Sequence, residues 1–278
     1  MRILIFGASG LLGKALLREW TSDEVLGLSA RDADIRDARR VNEVVKSFKP
    51  DWIVLAAAYT DVDGCESHQD LAFSVNRDGA VNVAQAATEV SARILFLSSD
   101  YVFDGKKTSP YEVDDPRNPQ STYGRSKAEA ELRLAEVMPD CCIVRTSWLF
   151  GVGGKCFPDT ILKLAATRPA IDVVNDQRGS PTYATDLASA IVPLCRQGTD
   201  GFVHVTNRGD CTWFEFARAI VKAAGLQTEV RPVSTQQMAR PAPRPAYSVL
   251  SSKSLQQRGI RLPTWEDALQ RYLRARAA

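Results

Sequence analysis

Five short runs in the first half of the chain read as continuously apolar rather than alternating: Ile3 to Phe6, Val25 to Leu28, Trp52 to Ala56, Ile94 to Ser98 and Cys142 to Arg145. A strand covered on both faces has this pattern, because neither set of alternate side chains meets water, so the runs predict a parallel sheet. Helix-like stretches lie between them, at Leu11 to Trp20, Asp37 to Phe48, Asp70 to Val90 and Tyr123 to Val137. Strand and helix in strict alternation predict an α/β, doubly wound fold of the Rossmann type. After Gly151 the rhythm loosens, with helices expected at Phe157 to Ala166, Ala184 to Arg196, Trp213 to Ala224 and Trp265 to Arg276. Arg240-Pro-Ala-Pro-Arg-Pro245 is neither helix nor inner strand, because proline lacks an N–H and fixes φ. We therefore expect a sheet domain over residues 1–150 and a smaller, mainly substrate-binding lobe over 151–278. A helix and strand within 184–205 are expected to return to the first domain.

Composition narrows the classes. With 278 residues, 45% hydrophobic and 24% charged, the chain can bury a large core. Thirty-five basic against thirty-three acidic residues leave a formal charge of +2 with no long run of one sign, which argues against nucleic-acid or membrane-surface partners. Six cysteines without CxxC spacing and two distant histidines, His68 and His204, favour free thiols in a reducing cytosol over disulfides or a metal site. The apolar run before the first glycine is too short for a signal peptide or a membrane span, so a cytoplasmic protein without a bound metal is expected.

Gly7-Ala-Ser-Gly10-Leu-Leu-Gly13 follows the first strand at once and opens the first helix. In that context the glycines supply a tight turn, close approach of backbone to a pyrophosphate and close packing of helix on strand, with the helix N-terminus facing the phosphates. Gly7, Gly10, Leu11 and Leu12 are the expected cofactor contacts, making residues 1–150 a dinucleotide-binding domain. The second strand ends at Ser29-Ala-Arg31 with no acid at its tip to accept from an NAD ribose, while Arg31 can pair with a 2′-phosphate. The lean is towards NADPH, with NADH also admitted. Asp34 and Ile35 are expected near the adenine, and Ala56, Ala57 and Ala58 provide small side chains beside which a cofactor can lie.

Reducing a ketone by hydride requires a proton for the nascent alkoxide. A phenol titrating near pH 10 needs a neighbouring cation to supply it near neutrality. Tyr123-Gly-Arg-Ser-Lys127 puts both groups one helical turn apart on one face, where the ammonium is expected to lower the phenol pKa and hold the nicotinamide ribose. Ser99 ends the fourth strand at the rim where such sheets bind ligands, placed to hydrogen-bond the substrate carbonyl. Ser99, Tyr123 and Lys127 are thus the candidate catalytic set.

These residues resemble the extended short-chain dehydrogenase/reductase family, and the wider string is similar to its dTDP-4-dehydrorhamnose reductase branch. The matching segments are Ala56-Ala-Ala-Tyr-Thr-Asp-Val-Asp63, Ser98-Ser-Asp-Tyr-Val-Phe-Asp-Gly105, Tyr123-Gly-Arg-Ser-Lys127, Arg145-Thr-Ser-Trp-Leu-Phe-Gly151 and Asp176-Gln-Arg-Gly-Ser-Pro-Thr182. Thr212-Trp-Phe-Glu-Phe-Ala217 and Arg244-Pro245 extend the match over nearly the whole chain. The resemblance implies NADPH-dependent reduction of the C4 ketone of a dTDP-linked 4-keto sugar, with Tyr123 giving the proton, Lys127 tuning it and Ser99 orienting the carbonyl. It also implies that Trp148 walls the sugar, that Asp100, Tyr101 and Gln177 line the substrate site, and that Arg244 faces the nucleotide end. Two departures stand out: Ser99 replaces a usual Thr, and Lys155-Cys156 replaces a common Asn pair. The first keeps the hydroxyl; the second leaves the sugar contacts open. Other members of the wider group act as NADP-binding regulatory subunits, like the methionine adenosyltransferase β subunit, or as nucleotide-sugar epimerases. Homodimers occur in the branch as well, so a homodimer is an admitted assembly.

Overall fold

In the computed structural model, which describes residues 1–277, the continuously apolar runs come together in one parallel sheet. The first part of the chain forms β1 (Arg2–Phe6), α1 (Leu11–Glu19), β2 (Glu24–Leu28), α2 (Ala38–Phe48), β3 (Trp52–Leu55), α3 (Val62–Ser67), α4 (Gln69–Phe73) and α5 (Gly79–Glu89). Next come β4 (Arg93–Ser99), α6 (Thr122–Val137), β5 (Cys142–Thr146), β6 (Leu149–Phe150), α7 (Phe157–Ala165), β7 (Ala170–Val174), β8 (Arg178–Gly179) and β9 (Thr182–Tyr183). The remainder is α8 (Ala184–Arg196), β10 (Gly201–His204), β11 (Cys211–Thr212), α9 (Trp213–Ala223), β12 (Glu229–Val233), α10 (Thr235–Met238), α11 (Lys253–Gln256) and α12 (Trp265–Ala277).

The sheet runs β10-β5-β4-β3-β1-β2, with every neighbouring pair parallel. Alternate residues of one strand feed opposite cores: Ile3 and Ile5 pack beneath α1 and α8, whereas Leu4 and Phe6 pack against α2 and α5. Both sets are sealed from water, which is why the strand reads as one apolar run. Strand order reverses at β1, leaving a crevice between the carboxyl ends of β1 and β3, where ligands bind in open sheets of this kind.

The stretch from Asp70 to Val90, read as one helix, is interrupted by a π-helical turn at Ser74–Asp78. Within that turn Asn76 is 1% exposed; its Oδ1 accepts from the Tyr59 amide at 2.8 Å, and its Nδ2 donates to Ser126 at 2.9 Å. The extra residue in the turn accompanies an amide that ties the loop after β3 to α6.

After β5 the chain builds a second core around Phe150, Tyr183, Phe216, Trp265 and Tyr272. Three two-stranded ladders edge it: β7 with β12, β8 with β11 and β6 with β9. Four of these strands, β6, β8, β9 and β11, are two residues long and leave no period to read, so the loosened rhythm conceals them. Between the segments of this lobe, α8 packs on α1 and β10 pairs with β5 in the main sheet. No helix among the described residues is long and apolar enough to cross a membrane.

Candidate active site

A cleft of about 560 Å³ opens over the carboxyl ends of β1, β3, β4 and β5. Gly7 begins its floor at φ +89°, and a Cβ there would sit 2.6 Å from the Ala57 amide nitrogen, so only glycine lets these two strand ends meet. Gly10 caps α1 without any side-chain hydrogen bond, and the first turn carries no acid. The helix therefore presents its Leu11 and Leu12 backbone to the cleft with no side chain competing for an anion. This cradle fits a dinucleotide pyrophosphate. Ala56 and Ala58 line the same cleft, whereas the Ala57 side chain turns into the core below α2 and α5.

The residues expected near the adenine end are more dispersed. Arg31 is exposed beyond β2; Asp34 is held bidentately by Arg36, with its closest contact at 2.6 Å. Ile35 is buried at 4% exposure and belongs to the core rather than to the cleft lining.

Ser99, Asp100, Tyr101, Tyr123, Lys127 and Trp148 all line the first cleft. Helix α6 begins where the Ser121 hydroxyl accepts from the Gly124 amide at 3.1 Å, which brings Tyr123 to the first turn and Lys127 directly below it. Tyr101 and Tyr123 meet edge to face, their centroids 5.5 Å apart. Ser99 ends β4, donating to Asp100 Oδ1 at 2.9 Å and accepting from the Tyr101 amide at 3.2 Å.

The electrostatics depart from the sequence expectation. Burial pushes the Tyr123 phenol above its ordinary value, with the Ser99 hydroxyl pulling against it, and Lys127 is not among the groups that move it. Burial brings the Lys127 amine down to about 7, opposed by Glu131. The amine lies 4.0 Å from the centre of the Phe96 ring, and its side chain is 1% exposed. In the free protein desolvation outweighs the pairing of ammonium and phenol; an anion entering the cleft would favour the ammonium.

Trp148 adopts φ +46° and stacks on Trp213 with centroids 3.5 Å apart. A Cβ on Gly179 would meet the indole at 2.5 Å, so a bare backbone makes room for the stacked ring. Beyond it lies a second pocket of about 510 Å³, which shares Tyr101 and Trp213 with the first. Phe157, Ile161, Leu164 and Val173 contribute apolar wall, and Gln177 and Arg244 add polar groups. Gln177 donates to the Thr235 hydroxyl at 2.9 Å, and Arg244 donates to Asp63 at 2.5 Å. That guanidinium holds the Asp63 carboxyl down to about 2. The structure thus divides the expected substrate residues between two adjoining spaces.

Sequence reading missed four supports: Asn76, Asp63, Glu131 and Arg145, of which Asp63 and Arg145 lie inside matching segments without a role. Glu131 lies two turns beyond Tyr123 on the same face of α6 and is fully buried. It accepts from Arg145 at 2.9 and 2.7 Å, from Ser98 at 2.5 Å and from Arg117 at 3.3 Å. An acid in register with the Tyr-Lys pair, and an arginine inside an apolar strand, were the signals available for that pair.

The match of the chain to known proteins is extensive. Residues 1–277 match the family model described as RmlD substrate binding domain. The spore coat polysaccharide biosynthesis protein SpsK of Bacillus subtilis is 42% identical, over 100% of this chain and 98% of that protein. A dTDP-4-dehydrorhamnose reductase of Mycobacterium tuberculosis is 40% identical over 99% and 93%. Among solved structures, the Bacillus anthracis dTDP-4-dehydrorhamnose reductase in complex with NADP superposes with a TM-score of 0.96 at 39% identity, covering 99% of each chain. With its two-pocket cleft and a match from end to end, the chain belongs to the RmlD substrate binding domain family.

Proposed function

We propose that this protein is an NADPH-dependent reductase that converts dTDP-4-dehydrorhamnose to dTDP-L-rhamnose. The observation that carries the reading is the order of groups along two adjoining pockets that share Tyr101 and Trp213. The first holds the Gly7 loop, Ser99, Tyr123, Lys127 and Trp148, and the second bears Gln177 and Arg244. Family membership and the NADP-bound relative support it. When bound, the nicotinamide supplies hydride. Tyr123 then holds the proton for the nascent C4 alkoxide, Lys127 stabilises the phenolate left behind, and Ser99 orients the carbonyl. Trp148 walls the sugar, and Arg244, which Asp63 neutralises in the free protein, faces the negatively charged nucleotide end. The same reading puts the protein in the cytoplasm and admits a homodimer.

The test is spectrophotometric NADPH oxidation with a panel of 4-keto sugar nucleotides. Turnover with dTDP-4-dehydrorhamnose is expected. Tight NADPH binding without oxidation would favour a regulatory subunit, and retained NAD without net consumption would favour an epimerase.

Cofactor preference rests on Arg31. Of the nearby acids that would repel a 2′-phosphate, Asp34 is paired with Arg36, whereas Asp32 accepts from the neutral Ser29 amide and hydroxyl and keeps its charge. Removing a charge-assisted contact typically costs about 1.5–3 kcal/mol, so Arg31→Ala is expected to weaken NADPH by roughly tenfold or more while NADH changes little. Isothermal titration with both nucleotides decides it, and an equal loss for both makes Arg31 a bystander.

A further inference from the structure

The Ser99 hydroxyl has one hydrogen to give, and across the 2.9 Å contact an ionised Asp100, which can only accept, takes it. Its oxygen meanwhile accepts from the Tyr101 amide. A serine bonded this way has nothing left to donate to a substrate carbonyl. Asp100 itself is unusual for a carboxylate: it is 1% exposed, it lines the cleft, and its Oδ2 has no hydrogen bond of ordinary geometry among the described residues, although the Ser248 hydroxyl lies close enough to the carboxyl to act on it. An ionised carboxylate left half-satisfied in such a place is costly, whereas a neutral carboxyl is not.

We propose that Asp100 is a positioning residue that works in its protonated form: as a neutral acid it donates to Ser99, reverses the hydrogen bond between them, and frees the Ser99 hydrogen for the substrate carbonyl. The inference rests on the reading of this cleft as a ketone reductase site. Ionised Asp100 captures the serine hydrogen and switches the carbonyl contact off; protonated Asp100 releases it.

The surroundings support a proton held well above the usual carboxylate range. Burial is the leading cause and raises the Asp100 carboxyl to about 6, against the hydroxyls of Ser248 and Ser99 and the amides of the turn. Its titratable neighbours are Tyr123 from α6 and the adjacent Tyr101, both phenols that burial keeps neutral. The Arg244 guanidinium acts on Tyr101 and is itself engaged by Asp63. The sign follows: the active form exists below about 6 and is lost as pH rises through that value. Lys127, near 7, adds its own loss of charge above that pH.

Two measurements test this, one of them independent of turnover. Infrared difference spectra of the cofactor-free protein should show a carboxylic C=O band that titrates with a midpoint near 6 and is missing from Asp100→Asn. A midpoint in the ordinary range near 4 overturns the proposal. In steady-state assays the wild-type kcat should fall more steeply between pH 5.5 and pH 8 than that of Asp100→Asn, whose amide donates to Ser99 at every pH. The difference expected is on the order of tenfold or more, from the protonated fraction of a single group with a midpoint near 6. Ser99→Ala provides a second variant, because with no hydroxyl to redirect it should lose the same limb. Identical pH dependence in wild type and both variants sinks the proposal. Absence of NADPH oxidation by the wild type with any sugar of the panel refutes the reductase reading instead, and the infrared titration then still decides the protonation of Asp100.

Discussion

Tyr123→Phe is expected to lower kcat by a factor on the order of 10² to 10⁴ while leaving the dissociation constant for NADPH within a few-fold of the wild type. The substitution removes one oxygen and little else. The ring keeps its edge-to-face contact with Tyr101, and α6 keeps its Ser121 cap and its Asn76–Ser126 tie. What disappears is the proposed proton donor, and the proton must then come from water or through Ser99. Stopped-flow turnover and fluorescence titration on the same preparation separate the two effects. A rate within a few-fold of the wild type would remove Tyr123 from the proton-donor role.

The second large effect is structural and falls on Glu131. Truncating it to Ala leaves the Arg145 guanidinium, 1% exposed, without the carboxylate that receives two of its hydrogen bonds. Breaking a buried ion pair by removing one partner typically costs about 3–5 kcal/mol, and a chain of this size melts roughly 2–4 °C lower per kcal/mol. Glu131→Ala should therefore melt on the order of 10 °C below the wild type. Replacing both partners with methionine should recover much of that loss, because no charge is then left stranded. Calorimetry of the single and double variants is the check, and a single variant as stable as the wild type would show that Arg145 finds another acceptor. Arg145 also lies against the rings of Phe103 and Phe202, so the pair joins α6, β4 and β5 through one buried point.

How legible the molecule is depends on what each feature needs from its neighbours. The main strands can be read because burial on both faces is a local property of Ile3 to Phe6 or Cys142 to Arg145, visible without knowing the partner strand. The helix Ala184 to Arg196 is equally legible, its apolar stripe repeating at helical spacing. Ser99, Tyr123 and Lys127 can be placed on one cleft because two of them share a helix turn and the third ends a strand at the ligand rim. What escapes is whatever depends on distant chain. The ladders of β6 with β9 and of β8 with β11 are held by residues about 30 positions apart and have no period of their own. Asn76 needs a π turn that no composition announces. The acidities of Tyr123 and Lys127 follow from how deeply the fold buries them, so the pairing rule alone misjudged the direction for the free phenol.

The returning segment has a wider consequence. Because α8 and β10 leave the lobe, complete the sheet and hand the chain back to β11, the lobe is sewn to its neighbour by several passes of the chain rather than attached at one end. Such a lobe is no cassette: it cannot be exchanged between relatives by cutting at a single seam. A change of the pocket walls in this architecture is made within the folded lobe itself, at residues such as Trp148, Gln177 and Trp213.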